Sequence, residues 1–184
     1  TIFIIAYCGI SYELIIGGIS TYLLGDSIYQ FSITIGLFMF SMGLGSFLTK
    51  YLKNNLLELF ILVEMILSIV GAVSGIALFV VYAQFYFAYK PVLYLFIIII
   101  GALVGFEIPV LVRIMNTQEK VKESIANVLS IDYLGALLGS IAFPIILLPN
   151  LGLIRSALLI GLLNQTVAVV NLMTFKTECR NYRI

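Results

Sequence analysis

The chain has 184 residues, of which 62% are hydrophobic and 10% charged, with a mean hydropathy of +1.16 and a net charge of +1. That composition lies outside the range of soluble domains and predicts an all-α, polytopic helix bundle embedded in a lipid bilayer. There is no His and no Trp, which excludes imidazole bases, His-ligated metals and Ser-His triads, and the near-neutral charge without a basic aromatic patch excludes nucleic acid as a partner.

Residues 1–24 read as a first span, interrupted only by Glu13 and carrying the small residues Gly9, Ser11, Gly17, Gly18 and Ser20. At about 1.5 Å per residue it is long enough for a hydrocarbon core of about 30 Å. The run starts abruptly at Thr1 and continues past the length of a signal-peptide core, so it is expected to be the interior of something longer rather than a cleaved leader. Gly25-Asp26-Ser27-Ile28-Tyr29-Gln30 is a tight turn, with Ser27 and Gln30 at capping-box spacing, into a second span over 27–52. Short turns imply antiparallel neighbours. Ser41, Gly43, Gly45 and Ser46 on this span would let another helix approach closely.

After the polar turn at Lys50, Lys53, Asn54 and Asn55, a third span covers 56–82, with Glu64 inside it and Gly71 and Gly75 four apart. Phe85, Tyr86, Phe87 and Tyr89 read as an aromatic belt at a membrane interface. The fourth span, 91–115, holds Glu107 two residues before Pro109, and the proline is expected to kink or open the helix beside the acid. Residues 116–127 are the only extended polar stretch and read as a surface connector. A fifth span, 128–148, carries Asp132, Gly135, Gly139 and Pro144; Pro149-Asn150-Leu151-Gly152 turns the chain into a sixth, 152–175, followed by a basic tail. Cys8 lies in an apolar run and Cys179 in that tail, which makes neither a disulfide framework nor a zinc site.

Six spans put Lys50, Lys53, Arg113, Lys120, Lys122, Lys176, Arg180 and Arg183 on one side, against Lys90 and Arg155 on the other. By the positive-inside bias the C-terminus is expected in the cytoplasm, with the protein integral to a bacterial inner membrane. Three spans per half would turn the second half upside down. Ser11-Tyr12-Glu13-Leu14 matches Gly105-Phe106-Glu107-Ile108, and Gly43-Leu44-Gly45-Ser46 matches Leu138-Gly139-Ser140, the form of a 3+3 inverted repeat.

The spans hold acids without bases. Glu13, Glu64 and Glu107 lie within spans and Asp132 near a span end, while every Lys and Arg lies at or close to a boundary. Such a core must protonate its acids, hydrate them or accept a cation. Glu13, Glu107, Glu64, Asp132 and Tyr12 are therefore the candidate cation or polyamine site, with Tyr133, Asn164 and Gln165 as neutral helpers if they face the same interior. Glu64 and Asp132 sit nearer the cytoplasmic boundary, where Lys53 or Lys122 would be within reach. No metal ligand set and no catalytic residue is identified.

Ser11-Tyr12-Glu13-Leu14, Ser20-Thr21-Tyr22-Leu23-Leu24-Gly25-Asp26-Ser27, Gln30-Phe31-Ser32, Met42-Gly43-Leu44-Gly45-Ser46, Gly105-Phe106-Glu107-Ile108-Pro109, Asp132-Tyr133-Leu134-Gly135-Ala136, Pro149-Asn150-Leu151-Gly152-Leu153 and Gly161-Leu162-Leu163-Asn164 together resemble the membrane region of membrane-bound spermidine synthases, the polyamine aminopropyltransferases. The resemblance implies a following cytoplasmic domain of the methyltransferase-like α/β type, which moves an aminopropyl group from decarboxylated S-adenosylmethionine to putrescine. This chain has no Gly-rich nucleotide loop and no run of acids for a diamine, so no catalytic residue carries over and no cofactor is expected within it. The expected role is the membrane module of such an enzyme, anchoring it and passing polyamine or another cation. Its expected partners are the bilayer, a cytoplasmic catalytic domain and, if the bundle oligomerises, further copies. Two rival readings are a stand-alone transporter or channel for organic cations or protons, and a structural anchor or assembly subunit whose acids are packing residues.

Overall fold

The computed structural model describes residues 1–52, 55–115 and 121–175, and these are helical with no strand among them. The helices are α1 (Ile2–Leu24), α2 (Ser27–Leu48), α3 (Leu56–Gln84), α4 (Tyr89–Met115), α5 (Val121–Ala142) and α6 (Leu148–Thr174). A π-helical turn at Phe143–Leu147, built around Pro144, joins α5 to α6. Counted as continuous runs, five helical stretches are long and apolar enough to cross a membrane, the last covering Glu123–Thr174.

Glycine contacts give the sense of each helix. Gly17 lies on the Phe31 ring and Ser20 Oγ donates to Gln30 Oε1 at 2.7 Å, so α2 runs antiparallel to α1. Gly101 lies against Phe38 and Ser41, and Gly105 against Met42, so α4 runs parallel to α2. In the same way Gly135 meets Phe3 and Ala6, and Gly139 meets Tyr7 and Ile10, so α5 runs parallel to α1. Gly161 touches Ser68 and Ala72 while Gly75 touches Ile154 and Ala157, which makes α6 antiparallel to α3. Leu153 reaches Gly18, the Cys8 thiol approaches the Ile160 carbonyl at 3.9 Å, and Thr1 Oγ1 donates to Asn171 at 3.0 Å; α6 therefore descends along α1. The senses alternate along the chain. One end of the bundle gathers Thr1, Thr49, Leu56, Met115 and Thr174, and will be called the Thr1 end.

The reversal between α5 and α6 falls at Gly152, whose φ of 71° and ψ of −178° leave helical space. That positive φ is open to glycine at little cost. Asp26, rather than Ser27, caps α2: its carboxylate accepts from the Tyr29 N–H at 3.3 Å, and Gln30 is committed to Ser20 instead. This corrects the capping-box expectation. Pro109 does not open α4 either, since the helix continues through it to Met115. Its missing N–H removes one helical bond without ending the helix. Two helices begin before the apolar runs do, α4 at Tyr89 and α5 at Val121, because the flanking residues extend the last turn toward the bundle ends. Lys53, residues 116–120 of the connector, and the tail with Lys176, Cys179, Arg180 and Arg183 lie outside the described residues, as does the side chain of Lys122.

Large apolar side chains cover the outside as well as the core. Met39, Phe40, Phe47, Ile69, Tyr133, Leu162 and Met173 are all more than half exposed. At the Thr1 end the Arg113 guanidinium donates to the carbonyls of Thr49 and Leu52 at 2.9 and 2.7 Å, closing the free carbonyl end of α2.

Candidate functional site

The apolar core is two clusters rather than one. The first includes Tyr12, Leu67, Val104 and Ile160; the second, nearer the Thr1 end, includes Ile5, Ile61, Val110 and Val167. On three helices the residue between the clusters is polar: Glu64 between Ile61 and Leu67, Glu107 between Val104 and Val110, and Asn164 between Ile160 and Val167. Helical periodicity puts such residues on the same inward face as the apolar ones that flank them. The result is a polar layer across an otherwise oily bundle.

Each member of the layer is held by local packing. The Tyr12 ring lies over Gly71, where any side chain on α3 would collide with it, and so its hydroxyl is carried to the centre. Gly161 lets α6 approach α3 backbone to side chain, and Ser68, one turn from Glu64, donates to Gln165, the residue after Asn164. The Asn164 amide faces both Tyr12 and Glu64, and the carboxyls of Glu64 and Glu107 face one another. Glu64 and Asn164 are wholly buried, with Tyr12 and Glu107 1% and 3% exposed. The Tyr12 hydroxyl, both Glu64 oxygens, Glu107 Oε1 and both amide atoms of Asn164 have no protein hydrogen-bond partner. Buried polar atoms are rarely left so, and a concentration of them marks a place built for something other than packing.

Glu107 also opens onto a cavity of about 90 Å³, which Glu13 and Asp132 line with it. Gly9, Ile10, Phe38, Met42, Val104 and Ala136 contribute most of the remaining wall. Its volume corresponds to about three waters, enough for a hydrated monovalent cation or one ammonium group. No Lys or Arg lines it among the described residues. Nor does any grouping of three His, Cys, Asp or Glu among the described residues have metal-holding geometry. Carboxylates, a phenol and an amide supply only hard oxygen acceptors and weak donors, the chemistry of proton, ammonium or alkali-cation binding.

All five candidates read from the sequence thus fall in one continuous region: Glu13, Glu107 and Asp132 at the cavity, Tyr12 and Glu64 in the layer behind it. Glu64 is wholly buried, a turn from Leu67 and against Glu107, while Lys53 and the side chain of Lys122 lie outside the described residues. Tyr133 is 67% exposed and faces away, and Gln165 is engaged by Ser68, so of the neutral helpers Asn164 alone joins the layer. Cys8, read only as an apolar-run residue, is wholly buried with its thiol toward the Ile160 carbonyl. The signal that would have singled out Asn164 is its place three residues after Gly161, on the face where α6 meets α3.

No family model matches the chain and no solved structure matches it. Among curated proteins it is 46% identical over 169 residues to the polyamine aminopropyltransferase of Leptospira interrogans, covering 92% of this chain and 34% of that protein. It is 44% identical over 179 residues to polyamine aminopropyltransferase 2 of Ralstonia nicotianae, covering 96% of this chain and 35% of that protein. To the polyamine aminopropyltransferase of Oceanobacillus iheyensis it is 37% identical over 182 residues, covering 97% and 35%. The chain therefore spans about a third of the length of the curated relatives it matches.

Proposed function

Because the chain belongs to the polyamine aminopropyltransferase family, we propose that it is the membrane module of such an enzyme, anchoring it in the bilayer and passing polyamine or another cation along Glu13 and Glu107. The observation that carries this reading is the acidic cavity and polar layer inside a bundle of helices long enough to span hydrocarbon, with no Lys or Arg lining the cavity among the described residues. A packing role would leave buried acids paired with bases; here Glu64 and Glu107 face only one another and Asn164, and three of their oxygens make no hydrogen bond of good geometry.

Six crossings are supported by the alternation of helix sense and by the reversal at Gly152, which divides the long last stretch into two. The apolar outer surface suits acyl chains. Lys50 and Arg113 lie at the Thr1 end and Lys90 and Arg155 at the other, and it is the sequence positions of Lys53, Lys120, Lys122, Lys176, Arg180 and Arg183, next to helix ends on the Thr1 side, that tip the balance; the Thr1 end would then face the cytoplasm and meet the catalytic domain of the enzyme there. The first three helices and the last three run in opposite senses, as an inverted repeat requires.

The test uses the full-length protein reconstituted in lipid vesicles. Labelled spermidine should accumulate inside, and Glu107→Gln should abolish the accumulation while leaving the protein inserted and monodisperse. Equal uptake by wild type and variant would remove the role given to Glu107, and no uptake by the wild type would leave the anchor without conduction.

A further inference from the structure

Glu13 and Glu107 are separated in the chain by the same interval as Gly45 and Gly139, and as Ser46 and Ser140. Shifting α2 by that interval lands it on α5 end to end, from Ser27–Leu48 to Val121–Ala142, each of 22 residues. Helix packing obeys the same rule. The parallel pair α1 with α5 becomes the parallel pair α4 with α2, and the contact of Gly139 with Tyr7 corresponds, within one residue, to that of Gly45 with Ala102.

The cavity falls at the centre of this relation. Its wall pairs off by the common interval: Ile10 with Val104, Glu13 with Glu107, Phe38 with Asp132, and Met42 with Ala136. A site whose lining maps onto itself lies on the axis that relates the two halves.

Three wall residues lack counterparts in the wall, namely Ala6, Gly9 and Ile108. All three lie toward the Thr1 end from Glu13 and Glu107, on the side where Asp132 stands. Their counterparts, Ile100, Leu103 and Leu14, lie toward the opposite end, and Ile100 is wholly buried in the first apolar cluster. The equivalent acids are also unequal, Glu107 being 3% exposed and Glu13 half-buried. Unequal environments at equivalent positions are what one of two mirror-related states looks like.

We propose that the cavity is an alternating-access carrier site for a monovalent cationic group, such as a primary ammonium. Glu13 and Glu107 exchange roles between a state open at Ala6 and Gly9 and a state open at Ile100 and Leu103. This rests on the reading of the bundle as a bilayer-spanning module, and goes beyond it by making the module a carrier rather than a fixed path. The partnerless oxygens of Glu64 and amide of Asn164 form the inner wall that the cation meets in both states.

The experiment uses full-length protein in vesicles of known orientation, with Cys8→Ala and Cys179→Ser as background and a membrane-impermeant maleimide added to one face at a time. Ala6→Cys should react from the Thr1-end face. Ile100→Cys should react from the opposite face only, at a rate roughly ten- to thousand-fold lower, as for a minor state populated at about 0.1–10%. Leu103→Cys, the counterpart of Gly9, should follow Ile100→Cys and replaces it if that variant does not insert. Labelling of Ala6→Cys with Ile100→Cys and Leu103→Cys both inert, or reactive from the Thr1-end face, overturns the exchange while leaving the spanning module intact. Labelling of Ala6→Cys from neither face or from both overturns the spanning reading and the carrier with it.

Discussion

Gly43 and Gly45 are two residues apart on α2, yet substituting each by alanine should move stability in opposite directions. A methyl at Gly45 would lie 2.8 Å from the carbonyl carbon and 3.0 Å from the Cα of Ala102, and closer still to the carbonyl oxygen, all backbone atoms that cannot rotate aside. Carbon contacts settle at about 3.5–4.0 Å, so α2 and α4 must part by roughly 1 Å. Overpacking of this kind costs about 1–3 kcal/mol. Parting the helices also stretches the 2.6 Å bond from Ser46 Oγ to the Gly105 carbonyl, a contribution of about 1 kcal/mol. Against this, alanine gains about 1 kcal/mol in helix propensity. The net loss for Gly45→Ala is about 1–3 kcal/mol. Around Gly43 nothing lies within 4 Å of the added methyl, so Gly43→Ala keeps only the gain, about 0.5–1 kcal/mol. The two variants should differ by about 2–4 kcal/mol, and at about 1.4 kcal/mol per tenfold that is on the order of thirty- to thousandfold in the unfolding equilibrium. Reversible unfolding in mixed detergent micelles, followed by circular dichroism, measures it. Equal midpoints for Gly43→Ala and Gly45→Ala would refute the close backbone contact of α2 with α4.

Other substitutions probe other contacts. Glu64→Met removes a buried carboxyl without protein partners and should raise stability by about 1–3 kcal/mol in the same unfolding assay while spermidine uptake falls; a loss of stability would mean the carboxyl is a structural tie. Arg113→Ala unties two carbonyls at the end of α2 and should cost about 1–2 kcal/mol, with faster amide exchange confined to the segment around Thr49–Leu52. Gly152→Ala meets no atom within 4 Å but must hold a φ of 71°, so it should cost about 1–2 kcal/mol from backbone strain alone, and an unchanged midpoint would deny the reversal there. Asp26→Ala should lose about 1 kcal/mol as the N-cap of α2, whereas Ser27→Ala should be nearly silent.

Helical class and the approximate helix positions were legible because uninterrupted apolar runs separated by polar turns leave few other solutions. Small residues were legible too: Gly135 and Gly139 form the face on which α5 meets its parallel partner α1. Glu13 and Glu107 stood out because a carboxylate in an apolar run is costly wherever it points. Direction was harder. Glu64 looked like a boundary residue from its distance to Lys53, but its neighbours Ile61 and Leu67 put it on the buried face, and only the rotation of α3 against α6 decides that. Pro109 signalled a break that α4 does not show, while the departures from regular helix arose at Pro144 and Gly152, where the chain reverses.

The glycine contacts divide the bundle into three couples: α1 with α5, α2 with α4, and α3 with α6. Within each, backbone touches backbone, or nearly so, and sliding would force carbonyl into carbonyl. Between the first two couples lies the cavity, bordered by side chains that have rotamers to spare. The bundle is therefore soft along that seam and stiff within each couple. It deforms there as the α1–α5 rod rolling past the α2–α4 rod with the acids in the gap.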